Sequence, residues 1–322
     1  MNNIESINKP LMWITVLLLA AIAAGCGGGG QDPILGGGAG TASAGPAGVN
    51  VSMLGLAAPF GIAATAGVTN TTTAPITLIN GDVLLDPVSG ATCNAVAVDG
   101  AGGFGLCGSN GSTPLLGGTS KVYSALYDPS ATLATVVADL QAAFLQITPP
   151  AGPPAAGSLG GATNLPAGTT LGAPAGSALV LNDNLFFPGV YQSLTSIMIT
   201  DDLTIDAQGN PDAVFVFQSS SSVGTADGAA PPGTRARILL VNGAKASNVW
   251  WQAGTSATLG LYSEFQGNIL ASASITMKTG ATSCGRLLAG AFTAGAFVFD
   301  SNVVSVPGQP FAPPAGYSAT CQ

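Results

Sequence analysis

The sequence predicts a mostly β chain wound as a β-solenoid with one amphipathic helix, and three observations carry that prediction. Short β-rich runs bounded by Gly, Asn, Asp or Ser recur every 8 to 12 residues. A faint repeat runs through the C-terminal third: Gly267-Asn268-Ile269-Leu270-Ala271 returns as Gly285-Arg286-Leu287-Leu288-Ala289, and Ser274-Ile275-Thr276-Met277-Lys278 returns as Ala296-Phe297-Val298-Phe299-Asp300, at offsets of 18 and 22. Small residues fill the intervals between bulky ones, which suits sharp corners. Even strand spacing alone fits a sandwich or a barrel as well. A period near 20 points to stacked coils, with strands about 4.8 Å apart.

The first element in chain order is a targeting segment. Lys9 precedes the apolar run Leu11–Ala24, fourteen residues long, which is too short to span a bilayer comfortably. It ends in Ala23-Ala24-Gly25-Cys26, which resembles a bacterial lipobox with Cys26 as the lipidated residue, although Ala23 stands where leucine is usual. Residues 1–26 are therefore expected to be an export and lipoprotein signal that places the protein at the outer membrane or cell surface. Ordinary secretory cleavage is the alternative. Residues 27–50 are rich in Gly, Ala, Ser and Pro and read as a flexible tether.

Residues 51–307 form the expected solenoid, and 308–322 a tail. Within the solenoid one helix is expected at about 129–147: Asp128 or Ser130 can cap it and Pro129 suits its first turn. Leu133, Val136, Val137, Leu140, Phe144 and Ile147 recur at three-four spacing, and Pro149-Pro150 stops it. The β-rich runs include 213–218, 237–241, 248–252, 267–270, 274–277 and 297–300. Export also bears on the cysteines. Besides Cys26 the chain has Cys93, Cys107, Cys284 and Cys321, which in an oxidising compartment favour disulfides and allow three pairings. Loop-closure cost favours Cys93 with Cys107, leaving Cys284 with Cys321 to staple the tail.

Composition excludes much. Charged residues are 7% of the chain, against roughly 25% in ordinary soluble domains. A net charge of −8 and only seven basic residues argue against nucleic-acid binding. The chain has no histidine, so a Ser-His-Asp triad, a His-ligated zinc and a haem histidine are impossible. No CxxC spacing suggests a metal site, and none is expected. Gly103-Phe104-Gly105-Leu106-Cys107-Gly108, with Asp128 twenty residues on, matches a dinucleotide fingerprint, but such a match is a chance product of 46 glycines and opens no helix. The oxygen-rich stretch Asp206–Asp212 lacks the bidentate Glu of a calcium loop and reads as a turn. Asp201, Asp202 and Asp206 are the one dense acidic group that could serve a polysaccharide-degrading β-helix, a reading no other block supports.

Several blocks are recognisable together. Asn80-Gly81-Asp82, Pro188-Gly189-Val190-Tyr191, the run Leu203–Gln218, Asn248-Val249-Trp250-Trp251-Gln252, Thr258-Leu259-Gly260, Phe265-Gln266-Gly267-Asn268-Ile269-Leu270-Ala271 and Gly285-Arg286-Leu287-Leu288-Ala289 closely resemble the DUF3494 ice-binding protein family, in order, over roughly residues 54–306. The resemblance implies a three-faced, discontinuous β-solenoid, whose coils are not stacked in sequence order, with one long helix packed alongside. It also implies a non-enzymatic protein without cofactor or catalytic residues whose partner is the ice crystal surface. A monomer is expected, with membrane contact only through the Cys26 anchor that the lipobox-like segment suggests.

Ice docking calls for uncharged methyls and hydroxyls on a rigid, level sheet, and threonine supplies both groups on a stiff side chain. Thr255-Ser256-Ala257-Thr258 and Thr279-Gly280-Ala281-Thr282 resemble the T-A/G-x-T/N pattern of the family's ice face; Thr65, Thr69 and Thr293 are looser candidates. The strand displaying Thr276 also displays Lys278 if Ile275 and Met277 point inward, which makes its face the poorer choice. Trp250 and Trp251 are adjacent, so one must face out of its strand; packing beneath the helix is expected of it, and a carbohydrate platform is the alternative. That alternative defines the competing function, a cell-surface adhesin or carbohydrate-binding module on the same solenoid.

Overall fold

The computed structural model describes residues 44–71, 74–85, 115–117, 120, 122–124, 132–148, 162–165, 168–172, 184–317 and 320–321, all within the compact unit Gly40–Gln322. The leader expected over 1–26, Cys26, most of the tether, Cys93, Cys107 and the glycine stretch 103–108 lie outside the described residues.

Among the described residues, three parallel sheets of nine, seven and eight strands enclose the core. Each turn gives one strand to each sheet: Val249–Ala253, Ala257–Leu259 and Glu264–Gln266 make one turn, and Asn268–Ala271, Ile275–Met277 and Thr282–Cys284 the next. The faint sequence repeat is the register itself, because Ile269 pairs with Leu287 and Ile275 with Phe297. The stack is discontinuous. Leu287–Leu288, Ala296–Phe299 and Val303–Ser305 form the last turn in sequence, yet Phe60–Ala64, Gly67–Asn70 and Leu78–Asn80 pair onto it. Ile62 lies beside Leu287, Val68 beside Phe297, and Ile79 beside Val304. Residues 60–85, with Leu115–Leu116 and Val122–Ser124 paired beyond them, thus build one end, and the turns from Thr163 onward run back toward them.

Alternation dictates which side chains fill the interior. In the nine-stranded sheet the inward file includes Tyr191, Phe217, Trp251 and Ile269 in direct register. Because register places equivalent side chains one strand spacing apart, their rings stack: Tyr191 on Phe217 at 5.2 Å between centroids, and Phe217 on Trp251 at 4.1 Å. The Tyr191 hydroxyl donates to the Phe187 carbonyl oxygen at 2.8 Å, and burial pushes its pKa up to about 12. Corners are tight enough to demand glycine. At Gly285, with φ of 145°, a Cβ would stand 1.9 Å from the Gly267 carbonyl oxygen of the neighbouring turn. At another corner Asn302 donates through Nδ2 to the carbonyls of Lys278 and Ala281, at 2.8 and 3.0 Å, replacing ladder bonds that the bend removes.

Helix α1 spans Thr132–Gln146, inside the expected 129–147. Its three-four stripe, Val136, Leu140, Ala143 and Phe144, continues to Ile147 and packs on Ala63, Val216, Trp250, Leu270 and Leu288, the outer side chains of the nine-stranded sheet. The end is pinned where Thr148 Oγ1 donates to the Phe144 carbonyl at 2.6 Å and Gln218 Nε2 donates to the Ile147 carbonyl at 3.0 Å. A 3-10 segment, Val51–Ala57, completes this cover: its Leu56 amide donates to Asp139 Oδ2 at 2.8 Å.

Candidate functional site

The three faces have different fates, and the site follows from them. The nine-stranded face lies beneath α1. The upper part of the eight-stranded face lies beneath the tail: Cys284 is bonded to Cys321, the Tyr317 hydroxyl donates to the Gly280 carbonyl at 2.5 Å, and Arg235 Nη2 donates to the Gly316 carbonyl at 3.0 Å. Ser305 Oγ donates to the Pro310 carbonyl at 2.7 Å, and Gln266 Nε2 to that of Thr320 at 3.3 Å. Below the tail sits an ion pair of Arg235 with Glu264, whose side chains are 6% and 1% exposed. The Arg235 guanidinium carbon lies 5.4 Å from the centroid of the Tyr317 ring, whose pKa burial pushes up to about 12. Farther along, the same face shows the half-buried pair Arg237 and Asp202, Arg237 donating through Nε at 2.6 Å.

Among the described residues the seven-stranded face is open. Its register reads Val68, Phe297, Ile275, Ala257, Val223, Ile197 and Thr169 along one inward file, each of them buried. The file that must then point outward is Thr69, Val298, Thr276, Thr258, Gly224, Met198 and Thr170. Val298 and Met198 are 37% and 40% exposed, and the four threonines are half-buried. Gly224 makes no dip, since the Met198 methyl carbon lies 3.4 Å from where a Cβ would stand. Two residues earlier on each turn, the parallel outer file is Gly67, Ala296, Ser274, Ser256, Ser222, Ser196 and Gly168, all small and uncharged. Two residues later it is Thr71, Asp300, Lys278, Gly260, Ala226, Thr200 and Gly172, so both charges of the face lie on this margin. Seven strands at about 4.8 Å give a width of about 29 Å, and three outer positions span about 13 Å along each strand.

The sequence-predicted threonines scatter. Thr69, Ser256 and Thr258 stand in the open files. Thr255 is exposed at the corner one residue before Ser256, and Thr293 is exposed in the loop before Ala296. Thr279 is half-buried just past Lys278, its hydroxyl bonded to Asp300. Two expectations are corrected. Thr282 points outward from the eight-stranded sheet but is 1% exposed; it stands on the strand between Gly280 and Cys284, the two points where the tail is bonded through Tyr317 and Cys321. Thr65 is 9% exposed, and its Oγ1 accepts the Gly295 amide at 2.9 Å, which makes it a corner residue. Ile275 and Met277 are buried, which puts Thr276 and Lys278 on one outer side, and Thr276 is the register partner of Thr258, so the favoured and the disfavoured threonine share one face. Val298, Met198 and Thr170 escaped notice, and aligning the turns on Ile275 and Phe297 would have placed at least Val298 beside Thr276.

Other expectations resolve on geometry. Trp250 packs under α1 and Trp251 lies in the core, both at 0% exposure, so neither offers a sugar platform. Asp206 Oδ1 accepts the Gln208 amide at 2.7 Å, and Oδ2 accepts Asn242 Nδ2 at 2.9 Å, a turn as read. Among the described residues no three His, Cys, Asp or Glu groups converge as metal ligands.

The Ice-binding-like family model matches residues 62–304. The chain is 31% identical to an ice-binding protein of Flavobacterium frigoris over 259 residues, 79% of this chain and 76% of that one. It is 30% identical to an ice-binding protein of Flammulina populicola over 260 residues, 80% of this chain and 88% of that one. A shorter match, 45% identical over 119 residues, covers 37% of this chain and 40% of an ice-binding protein of a Nostoc species. The solved ice-binding protein of the Antarctic ascomycete Antarctomyces psychrotrophicus superposes with a TM-score of 0.55 at 30% identity, covering 78% of this chain and 96% of that one.

Proposed function

This chain belongs to the Ice-binding-like family, and from that premise we infer that it adsorbs to ice through the seven-stranded face. The carrying observation is that, among the described residues, this sheet is bare and its central file holds no ionisable side chain, whereas α1 covers the nine-stranded sheet and the eight-stranded sheet is partly covered by the tail and elsewhere carries the Arg237–Asp202 pair. An ammonium or carboxylate organises water around its own charge, in a pattern foreign to ice. Threonine methyls and hydroxyls on a fixed backbone can hold a water layer near lattice positions. Outer side chains repeat at about 4.8 Å between turns and about 6.6 Å along a strand, close to repeats found in ice. A core stacked ring on ring keeps that array fixed before contact, so little conformational entropy is lost on adsorption.

Adsorbed molecules block growth of the crystal beneath them, so the effect is inhibition of ice growth or recrystallisation, and no catalytic reaction is assigned. Export is part of the proposal. Lys9, the apolar run Leu11–Ala24 and Cys26 support passage out of the cytoplasm and a lipid anchor, which would set the docking face outside the cell where ice forms. The test is a purified chain lacking residues 1–26, frozen slowly with seed ice. Protein enriched in the ice fraction, with fine grain retained in frozen sucrose, is the expected result; partition and coarsening equal to those of an inert control reject the reading.

A further inference from the structure

The open face has two charges on its margin, and each is held by a partner. Asp300 accepts hydrogen bonds from the Thr71 and Thr279 hydroxyls. Lys278 Nζ donates to both carboxylate oxygens of Asp227, at 2.9 and 2.8 Å. Asp227 lies two turns away, one residue past Ala226, where the chain leaves the open sheet for the corner. On the turn between, the margin position is Gly260, where a Cβ would stand 2.3 Å from the Ala226 carbonyl oxygen. The lysine therefore reaches its partner past a position with no side chain. Asp227 is itself fixed, since Oδ1 also accepts the Leu261 amide of that intervening turn at 3.0 Å. These two donors, the ammonium first, hold the Asp227 carboxyl below the usual carboxylate range. Both side chains stand in solvent, at 42% and 47% exposure for Lys278 and Asp227, and an exposed pair of this kind adds little to folding stability. Its geometric consequence is larger: the ammonium is aimed toward the corner.

We propose that Asp227 is a positioning residue for ice adsorption, acting by drawing the Lys278 ammonium off the open face. The inference rests on the seven-stranded face being the one that meets ice. A lysine ammonium is a compact, strongly hydrated charge on a flexible stem. Released from Asp227, it can swing over Thr276 and Thr258 and carry its own water shell into the layer those residues organise. The lysine then has to be desolvated or displaced each time the face meets a crystal.

The experiment compares ice partition and thermal unfolding of the wild type, Asp227→Asn, Asp227→Glu, Lys278→Met and the double variant Asp227→Asn/Lys278→Met. Asp227→Asn is expected to weaken adsorption about fivefold, which is about 1 kcal/mol, because the exposed ammonium is displaced rather than fully desolvated, with its unfolding midpoint unmoved. Asp227→Glu and the double variant are expected to return to the wild-type level. Asp227→Asn adsorbing like the wild type overturns the proposal, as does a loss that the double variant fails to restore. Should Asp227→Asn unfold early, Lys278→Met decides: adsorption at or above the wild-type level supports the proposal, and a comparable loss overturns it. A wild type that does not enter ice sinks the functional reading itself, an outcome distinct from any of these.

Discussion

Two copies of nearly the same tetrapeptide end in opposite surroundings. Thr255-Ser256-Ala257-Thr258 and Thr279-Gly280-Ala281-Thr282 both place their last threonine on the outer side of a sheet. Thr258 stands in the open seven-stranded file, and Thr282 lies at 1% exposure beneath the tail. Each threonine follows a buried alanine, although Thr279-Gly280 form a turn, with Gly280 at φ of 71°, whereas Ser256 leads directly into the strand Ala257–Leu259. The difference comes from Cys321, 37 residues beyond Cys284, and from the polar anchors at Gly316, Tyr317 and Thr320. A docking motif is therefore only half a site; the other half is whether anything distant lies over it.

The contrast can be broken most forcefully at the tail. Cys321→Ser should cost about 2–4 kcal/mol, the usual range for losing a native disulfide, measured by denaturant unfolding against the oxidised wild type. Ice partition of the folded variant should stay at the wild-type level, because the tail lies on a different face. A smaller effect separates the two threonines directly. Thr282→Tyr forces a ring into packed space under the tail and should cost about 1–3 kcal/mol. Thr258→Tyr adds the same ring on an open surface and should stay within about 0.5 kcal/mol of the wild type. Equal costs for the two would mean that the tail does not cover Thr282 in solution.

Much of the architecture was legible because local and neighbouring-turn signals agree. The helix showed in its three-four stripe between Pro129 and Pro149, and the repeat aligned Ile269 with Leu287 as the sheet does. The junction of Ile62 with Leu287 was not legible from pattern, since no periodicity links turns separated by most of the chain; the family resemblance implied only that the turns are out of sequence order, without placing the junction. The site was half legible for a related reason. A sequence shows which residues alternate outward, and so placed Thr258 and Lys278 correctly on outer sides. It does not show that Lys278 meets Asp227, 51 residues away, nor that the tail returns over Thr282. The charge on the Thr276 strand was legible, and its Asp227 partner was not.

The most direct measurement places one bulky ring on each face and asks which variant leaves the ice. Thr276 stands in the central file of the seven-stranded face. Thr204 stands on the outer side of the eight-stranded face, between buried Leu203 and Ile205 and away from the tail anchors. Thr276→Tyr should be excluded from growing ice while Thr204→Tyr enters it as the wild type does, with both unfolding at the wild-type midpoint. Thr276→Tyr entering ice unchanged while Thr204→Tyr is excluded would contradict the assignment of the docking face.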